Sequence, residues 1–135
     1  MIVKLQHGAD NYTGNVLYSI DNKGYTSKPK GGEIGAIRNR LAGTAAHTET
    51  SIQRLAQELE TGHTIQGAQL QDKANQEDKR STDERFIQQQ LFFVDIDNDY
   101  KGADGKKYRR ENFIGSLDEI IEISHNAGIE PCILK

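Results

Sequence analysis

Length and charge restrict what the chain can be. It has 135 residues, 27% of them charged, with a formal net charge of −3 at pH 7, so we expect one domain or a fragment of one and exclude a second full domain. The near balance of acidic and basic residues excludes a surface that is basic throughout, so any contact with nucleic acid has to be local.

The first half of the chain predicts two strands and two helices. Residues 1–6 and 14–20 are short β-prone runs separated by a turn composition, and we expect them to pair with each other. Apolar residues at helical spacing predict helices at residues 34–41 and 48–60, the second of which ends at Gly62. Two residues stand in the positions of a capping box for the second helix: Thr50 and Gln53.

The middle of the chain predicts a strand that enters the centre of a sheet. A short strand is expected at residues 63–70. Residues 71–85 are almost entirely polar, which is typical of a solvated loop or of the hydrophilic face of a helix. The chain becomes β-prone again from Phe86, and the residues from Leu91 to Val94 are apolar without interruption. Such a run is typical of a strand that is buried on both faces of a sheet.

Carboxylates alternate directly after this apolar run. Side chains alternate along a strand, so Asp95 and Asp97 would project from the same face about 7 Å apart. Carboxylates at this spacing repel each other unless a cation neutralises them. Mg²⁺ or Mn²⁺ is the usual solution, because hard cations bind carboxylate oxygens and bring a phosphate-bearing substrate with them. A solvated turn at the end of a core strand is the alternative interpretation.

The segment after the acids, residues 99–112, is rich in basic side chains. It contains Lys101, Lys106, Lys107, Arg109 and Arg110, of which the last four are our candidates for binding phosphate groups. Beside a metal site, these side chains would attract and hold a polyphosphate or a nucleic-acid backbone. A charged hairpin without a partner is the alternative.

The C-terminal segment predicts a helix and a final strand. Residues 116–127 carry an apolar stripe that ends before Gly128, and residues 131–135 are β-prone. Two residues form a second capping box: Ser116 and Glu119. Together with a strand at residues 88–95, this order predicts a βαβ unit with parallel strands. The predicted fold class is therefore α/β or α+β, with a mixed sheet.

The predicted topology has consequences for the core and the compartment. The crossover helix would cover the inward face of the strand, so Leu91, Phe93, Ile120 and Ile121 would share one core. The single Cys132 would be a core thiol, and a lone cysteine suits a reducing compartment. No apolar window approaches the ~20 residues of a membrane span, and the N-terminus lacks a signal-peptide pattern. We therefore expect a cytoplasmic protein without membrane contact.

The final predicted strand, residues 131–135, has no following partner in the sequence. We expect the chain to be a segment of a longer protein for this reason. An exposed strand edge pairs readily with another chain, so a homodimer through this C-terminal strand is also expected.

Two known kinds of acidic loop were compared with residues 95–99. An EF-hand requires Gly at the sixth loop position and Glu at the twelfth, where this chain has Tyr100 and Lys106, so a calcium loop is excluded. A haloacid-dehalogenase-like phosphotransferase also places Asp-x-Asp after an apolar strand. Its usual Thr or Val two residues on is replaced by Asp99, and about ninety residues precede the strand, so this function stays as an alternative.

Three stretches of the chain, in their order, resemble the N-terminal region of archaeo-eukaryotic-type primases. They are residues 58–64 (ELETGHT), residues 90–98 (QLFFVDIDN) and, after an amphipathic helix, residues 128–134 (GIEPCIL). The resemblance is greatest to the primases carried by phages, plasmids and integrated elements of bacteria. It covers residues 48–135 of the single domain, and residues 1–47 are unmatched.

The resemblance implies a partial primase-polymerase-like catalytic module. In that family, the acids that match Asp95 and Asp97 are catalytic: they bind the divalent ions that activate the growing 3′-hydroxyl and clamp the incoming triphosphate. Asp99 would assist at the metal site. The implied partners are nucleic acid and nucleoside triphosphates, with a helicase domain in the full-length protein. A Ser-x-His element and a third acid would lie beyond Lys135, so we expect this fragment to be inactive by itself. A non-catalytic interaction or adaptor domain is the alternative.

Overall fold

The chain forms a small mixed α/β protein with several small antiparallel sheets, in a computed structural model that describes residues 4–5, 13–95 and 97–134. Within these residues the helices are α1 (Gly32–Leu41), α2 (Ile52–Glu60) and α3 (Leu117–Asn126), with a 3₁₀ turn at Thr44–Ala46. The strands are β1 (Lys4–Leu5), β2 (Val16–Asp21), β3 (His47–Thr50), β4 (Thr64–Gln66), β5 (Ala68–Leu70), β6 (Phe86–Gln89), β7 (Asp99–Lys101), β8 (Lys107–Arg109) and β9 (Ile133–Leu134).

The strands pair in four separate groups. β2 is the centre of a three-stranded sheet in the order β3-β2-β4, and the pairs β5-β6, β7-β8 and β1-β9 form two-stranded sheets. Every strand pair among the described residues is antiparallel. None of the described helices is both long and apolar enough to cross a membrane.

The main core lies between β2 and α2. Three alternate residues of β2 are buried on one face of the strand: Val16, Tyr18 and Ile20. They pack against Ile52 and Leu55 of α2 in one hydrophobic cluster. Cys132 is half-buried and packs against this cluster, which agrees with the prediction of a core thiol. A smaller cluster around Ile37 fixes α1 to the 3₁₀ turn.

The helices predicted at residues 34–41 and 48–60 are present, but the second begins later than expected. Its N-cap is Ser51, whose side chain accepts a hydrogen bond from the Arg54 backbone N–H at 3.2 Å. Thr50 belongs to β3 instead, where its Oγ1 lies 2.7 Å from the Tyr18 hydroxyl. The capping box predicted from Thr50 and Gln53 is therefore wrong by one residue, because cross-strand bonding holds Thr50 in the sheet.

The strand predicted at residues 63–70 is divided in two at Gly67. β4 joins β2, whereas β5 joins β6. A Cβ atom at Gly67 would lie 2.6 Å from the backbone oxygen of Leu91, so only glycine allows this close approach of the two segments. The polar interval that follows, residues 71–85, contains no helix or strand, so the loop alternative is confirmed and the helix alternative is wrong.

The strand prediction for residues 91–94 is wrong. These residues have no regular structure, and the exposed fractions of Phe92, Phe93 and Val94 are 86%, 55% and 84%. The physical reason is the length of the neighbouring strand. β5 begins at Ala68, which pairs with Gln89, so the described residues provide β6 with no partner strand beyond Gln89. Backbone N–H and C=O groups need hydrogen-bond partners. An extended segment without a neighbouring strand does not provide them, so such a segment stays exposed to water and is not stable as a strand.

The predicted common core of residues 91, 93, 120 and 121 is also wrong. Leu91 packs against the β2 cluster, and Phe93 is more than half exposed. The helix α3 starts at its predicted N-cap, since Ser116 accepts a hydrogen bond from the Glu119 backbone N–H at 3.2 Å. However, none of its residues is fully buried, so it does not cover an apolar strand in the way that the prediction requires.

The pairing of the two terminal regions differs from the prediction as well. Residues 1–6 were expected to pair with residues 14–20, and a βαβ unit was expected to hold residues 131–135. Instead β1 pairs with β9, with Lys4 opposite Leu134. β2 pairs with β3 on one side and with β4 on the other, so neither side of β2 is open to β1. Residues 1–3 and 6 and Lys135, which belong to these predicted strands, lie outside the described residues.

Candidate functional site

The acidic loop connects β6 to β7 on the protein surface. Asp95 and Asp97 are exposed, and Ile96 between them lies outside the described residues. Asp97 Oδ1 accepts a hydrogen bond from the Asp99 backbone N–H at 3.0 Å, which turns the chain into β7. The side chain of Asp97 therefore has a structural role in addition to the role predicted from the sequence.

Asn98 fixes the loop to the segment before α3. Its side-chain amide donates to the Ile114 carbonyl at 2.7 Å, and its Oδ1 accepts from the Ile114 backbone N–H at 2.8 Å. This two-sided contact orders one end of the acidic loop although the surrounding side chains are exposed. The sequence reasoning gave Asn98 no role, because side-chain bonding to a distant backbone group has no pattern in the sequence.

The basic segment forms a charged hairpin, and whether it binds a partner stays open. β7 and β8 pair with Asp99 opposite Arg109 and Tyr100 opposite Tyr108. The turn places Gly105 at a φ of 79°, and the Gly102 backbone N–H donates to the Lys106 carbonyl at 2.9 Å. The hairpin therefore presents a short, defined surface.

Contacts between the basic side chains and aromatic rings stiffen the hairpin. The Arg109 guanidinium lies 5.1 Å from the centre of the Phe113 ring, and that of Arg110 lies 5.7 Å from the centre of the Tyr100 ring. The rings of Tyr100 and Tyr108 stack with their centres 5.8 Å apart. Arg109 Nε also approaches a carboxylate oxygen of Asp99 at 3.4 Å. Both arginines are therefore partly engaged by the protein itself.

A hydrogen bond within the turn perturbs two further groups. The Tyr108 hydroxyl donates to Asp104, and this contact is the main reason why the pKa of Asp104 is lowered. The same contact raises the pKa of Tyr108 above its ordinary value. The turn therefore keeps a carboxylate charged beside the basic side chains, which reduces the positive potential at the tip of the hairpin.

Acidic and basic side chains of the loop and the hairpin meet at a shallow depression of about 170 Å³. Its wall is formed by Asp97, Asp99, Tyr100, Lys101 and Lys107. The structure thus brings together two of the predicted metal ligands and one of the predicted phosphate-binding residues, and it adds Lys101. The other predicted site residues do not line this depression: Asp95, Lys106, Arg109 and Arg110.

Carboxylate oxygens are suitable ligands for Mg²⁺ or Mn²⁺, but this chain supplies few of them at one place. Within residues 4–5, 13–95 and 97–134, no three His, Cys, Asp or Glu side chains are grouped closely enough to hold a metal ion. Asp97 and Asp99 are the two acids that share the depression. The donor chemistry therefore fits a hard cation, and water or phosphate oxygens would have to complete the coordination shell.

The chain matches no protein-family model, no curated protein and no solved structure. The resemblance to primases therefore depends on the motifs in the sequence, and it remains a prediction.

Sequence reasoning missed a second group of basic residues on another part of the protein. Arg38 of α1 and two residues of the polar interval, Lys73 and Arg85, line one cavity of about 330 Å³. They come from three places in the chain, so no local pattern predicts that they meet. Arg85 did have a weak indication, since it is the last residue of the polar interval before β6.

Proposed function

We propose that this chain is part of a primase-like nucleotidyltransferase of a mobile element, and that its acidic loop and basic hairpin bind nucleoside triphosphate and nucleic acid. The depression shared by Asp97, Asp99, Lys101 and Lys107 carries this proposal. Carboxylates that bind a cation, next to lysines that bind phosphate, are the arrangement that a metal-bound triphosphate requires. The sequence resemblance supports the same reaction class.

Each side chain of the depression has a separate task in this proposal. Lys101 and Lys107 hold phosphate oxygens, and the exposed faces of Tyr100 and Tyr108 provide a surface on which a base of a single strand stacks. Asp97 binds the cation, with Asp95 and Asp99 as the other candidates. The bound Mg²⁺ or Mn²⁺ would stabilise the charge of the triphosphate and lower the pKa of the attacking hydroxyl.

The proposal extends to the complete protein. A βαβ unit would require residues 91–95 to form a strand of the sheet in the complete module. In this structure residues 91–95 form no strand. That rearrangement would place Asp95 and Asp97 on one face. We further propose a cytoplasmic location, where template and nucleoside triphosphates are present, and a helicase domain elsewhere in the complete protein.

A non-catalytic interaction domain is the second candidate function, and one observation favours it. Asp97 is engaged by the backbone of Asp99 and the chain supplies few grouped acids, so the acidic loop is explained as a turn without any cation. In this case the exposed Phe92, Phe93 and Val94 would form the contact surface.

Metal binding separates the two candidates. The test is a Mn²⁺ titration of the whole chain followed by electron paramagnetic resonance, with Asp97→Asn, Asp95→Asn and the control Glu111→Gln, an exposed acid outside the depression. Asparagine at position 97 keeps an oxygen for the Asp99 N–H, so the hairpin is preserved. We expect weak binding that is lost in both Asp variants and kept in the control. Equal binding by all four proteins would exclude Asp95 and Asp97 as ligands.

Nucleic-acid binding is tested by fluorescence anisotropy with a labelled single-stranded oligonucleotide. Replacing Lys101 and Lys107 together by alanine should weaken binding and reduce the slope of log K against log salt by about 1.4, since each phosphate contact in a single strand contributes about 0.7. The control is the double variant Lys28→Ala/Lys30→Ala, which removes two exposed lysines from another loop. An unchanged slope in the hairpin variant would contradict the proposal.

A further inference from the structure

A cavity of about 330 Å³ lies between α1 and the interval that connects β5 to β6. Six polar or charged side chains contribute to its wall: Arg38, Asn39, Gln66, Lys73, Thr82 and Arg85. Three of them are cations, and the described lining contains no carboxylate. The cavity therefore has a positive potential and several groups that donate hydrogen bonds.

Arg85 is the fixed part of this cavity. The residue is only 3% exposed, and its Nη1 donates to the Ala42 carbonyl at 2.8 Å and to the Gln71 carbonyl at 3.0 Å. Its buried Nε has no hydrogen-bond partner in the part of the chain that the structure describes. Two backbone carbonyls do not neutralise a guanidinium, so a full positive charge is buried in this wall. Such a charge is costly unless an anion compensates it.

The protein provides little compensation from its own acids. Among the described residues, neither Arg38, Lys73 nor Arg85 forms an ion pair. Asp72 is the acid whose pKa responds to Arg85, but its main partner is Thr44. The Thr44 backbone N–H donates to Asp72 at 2.8 Å and the hydroxyl at 2.7 Å, and these bonds are the main reason why the pKa of Asp72 is lowered. Asp72 is not part of the cavity wall.

We propose that this cavity binds a phosphate group. Arg85 supplies a fixed charge, and the exposed side chains of Arg38 and Lys73 close on the anion from two sides. Asn39 and Thr82 donate the neutral hydrogen bonds that a tetrahedral oxyanion accepts. The phosphate comes from a nucleoside triphosphate or from a nucleic-acid backbone. This site is separate from the acidic loop and needs no metal, so it goes beyond the proposed function.

The test measures anion binding by isothermal titration calorimetry in EDTA, with inorganic phosphate and dATP as ligands. Arg38→Ala and Lys73→Ala are combined in one variant, because both residues are exposed and their removal leaves the core intact. The control is Lys79→Ala, an exposed lysine of the same interval that does not line the cavity. We expect the double variant to lose at least tenfold in affinity and the control to match the wild type. No binding by the wild type, or equal binding by the double variant, would overturn the proposal.

A labelled dT12 oligonucleotide, measured by anisotropy in EDTA, identifies the source of the phosphate. If the double variant weakens dATP binding alone, the site takes a nucleotide; if it weakens dT12 binding, the site takes a strand. If neither ligand is affected, the assignment is wrong. All these affinities are measured in EDTA, without the cation that the acidic loop would bind, so the failure of the metal site and the failure of this cavity give different results. Arg85→Gln is measured last, after circular dichroism has shown that it folds.

Discussion

Alanine substitutions at Leu55 and Phe93 should have very different effects on stability. Leu55 lies on the face of α2 that packs against β2, and it is 2% exposed. Leu55→Ala removes buried methyl groups and leaves a cavity, which costs about 2–5 kcal/mol. Phe93 is 55% exposed, so a little under half of its surface is removed from water.

The magnitude for Phe93 follows from this partial burial. Complete burial of a phenylalanine side chain contributes about 1.5–3 kcal/mol, so the observed burial limits the cost of Phe93→Ala to about 1.5 kcal/mol. A phenylalanine in a strand buried on both faces would instead cost about 3–5 kcal/mol. The two substitutions therefore test whether residues 91–94 are an exposed loop or a central strand.

Urea unfolding followed by far-UV circular dichroism gives the answer. With a slope of about 1.5 kcal/mol per molar urea, Leu55→Ala should lower the midpoint by about 1.5–3 M, and Phe93→Ala by less than about 1 M. Phe92→Ala is the internal control, since Phe92 is 86% exposed and its loss should be nearly neutral. If Phe93→Ala destabilises the protein as much as Leu55→Ala, the exposed loop is wrong and the strand prediction is correct.

Three further outcomes are expected. Ser116→Ala should cost about 1 kcal/mol in thermal or urea unfolding, because the Glu119 N–H loses its acceptor, and an unchanged midpoint would exclude the cap. The bidentate contact with Arg40 lowers the pKa of the buried Asp21 carboxyl. The contribution of the Asp21 carboxylate to the free energy of unfolding should therefore be complete above the unfolded pKa of about 3.9, and it should be lost as the pH falls through the lower pKa of the folded state. Asp21→Asn should remove this part of the pH dependence, measured by urea unfolding at several pH values. Dimerisation through β9 stays a prediction; light scattering should show a concentration-dependent dimer, and a monomer at high micromolar concentration would contradict it.

Local patterns in the sequence predicted local structure well. The helices α1 and α3, the Ser116 cap and the charged hairpin follow from spacing and from side chains that bond within a few residues of each other. The turn at Asp97 agrees with the alternative interpretation of the acids as a solvated turn, because Asp and Asn residues favour such turns, but no core strand precedes it.

Pairings between distant segments could not be predicted. The run from Leu91 to Val94 has the composition of a buried strand, but a strand needs a partner. β5 begins only at Ala68, directly after the close approach at Gly67, and its pairing with β6 extends no further than Gln89. The cavity at Arg38 and Arg85 depends equally on tertiary placement. Hydrophobicity and charge determine which residues are stabilised by burial. The pairing and register of strands that are distant in sequence determine which of these residues are buried in the fold.

The pairing of β1 with β9 has a consequence for how the protein forms during translation. Lys4 pairs with Leu134, so about 130 residues must be synthesised before this sheet can close. At roughly 5–20 residues per second, the strand β1 waits on the order of ten seconds for its partner. Cys132 and Ile133, which pack against the β2 cluster, arrive in the same interval. Until then the nascent chain carries an open strand and an incompletely covered core, the features that molecular chaperones recognise in unfinished proteins.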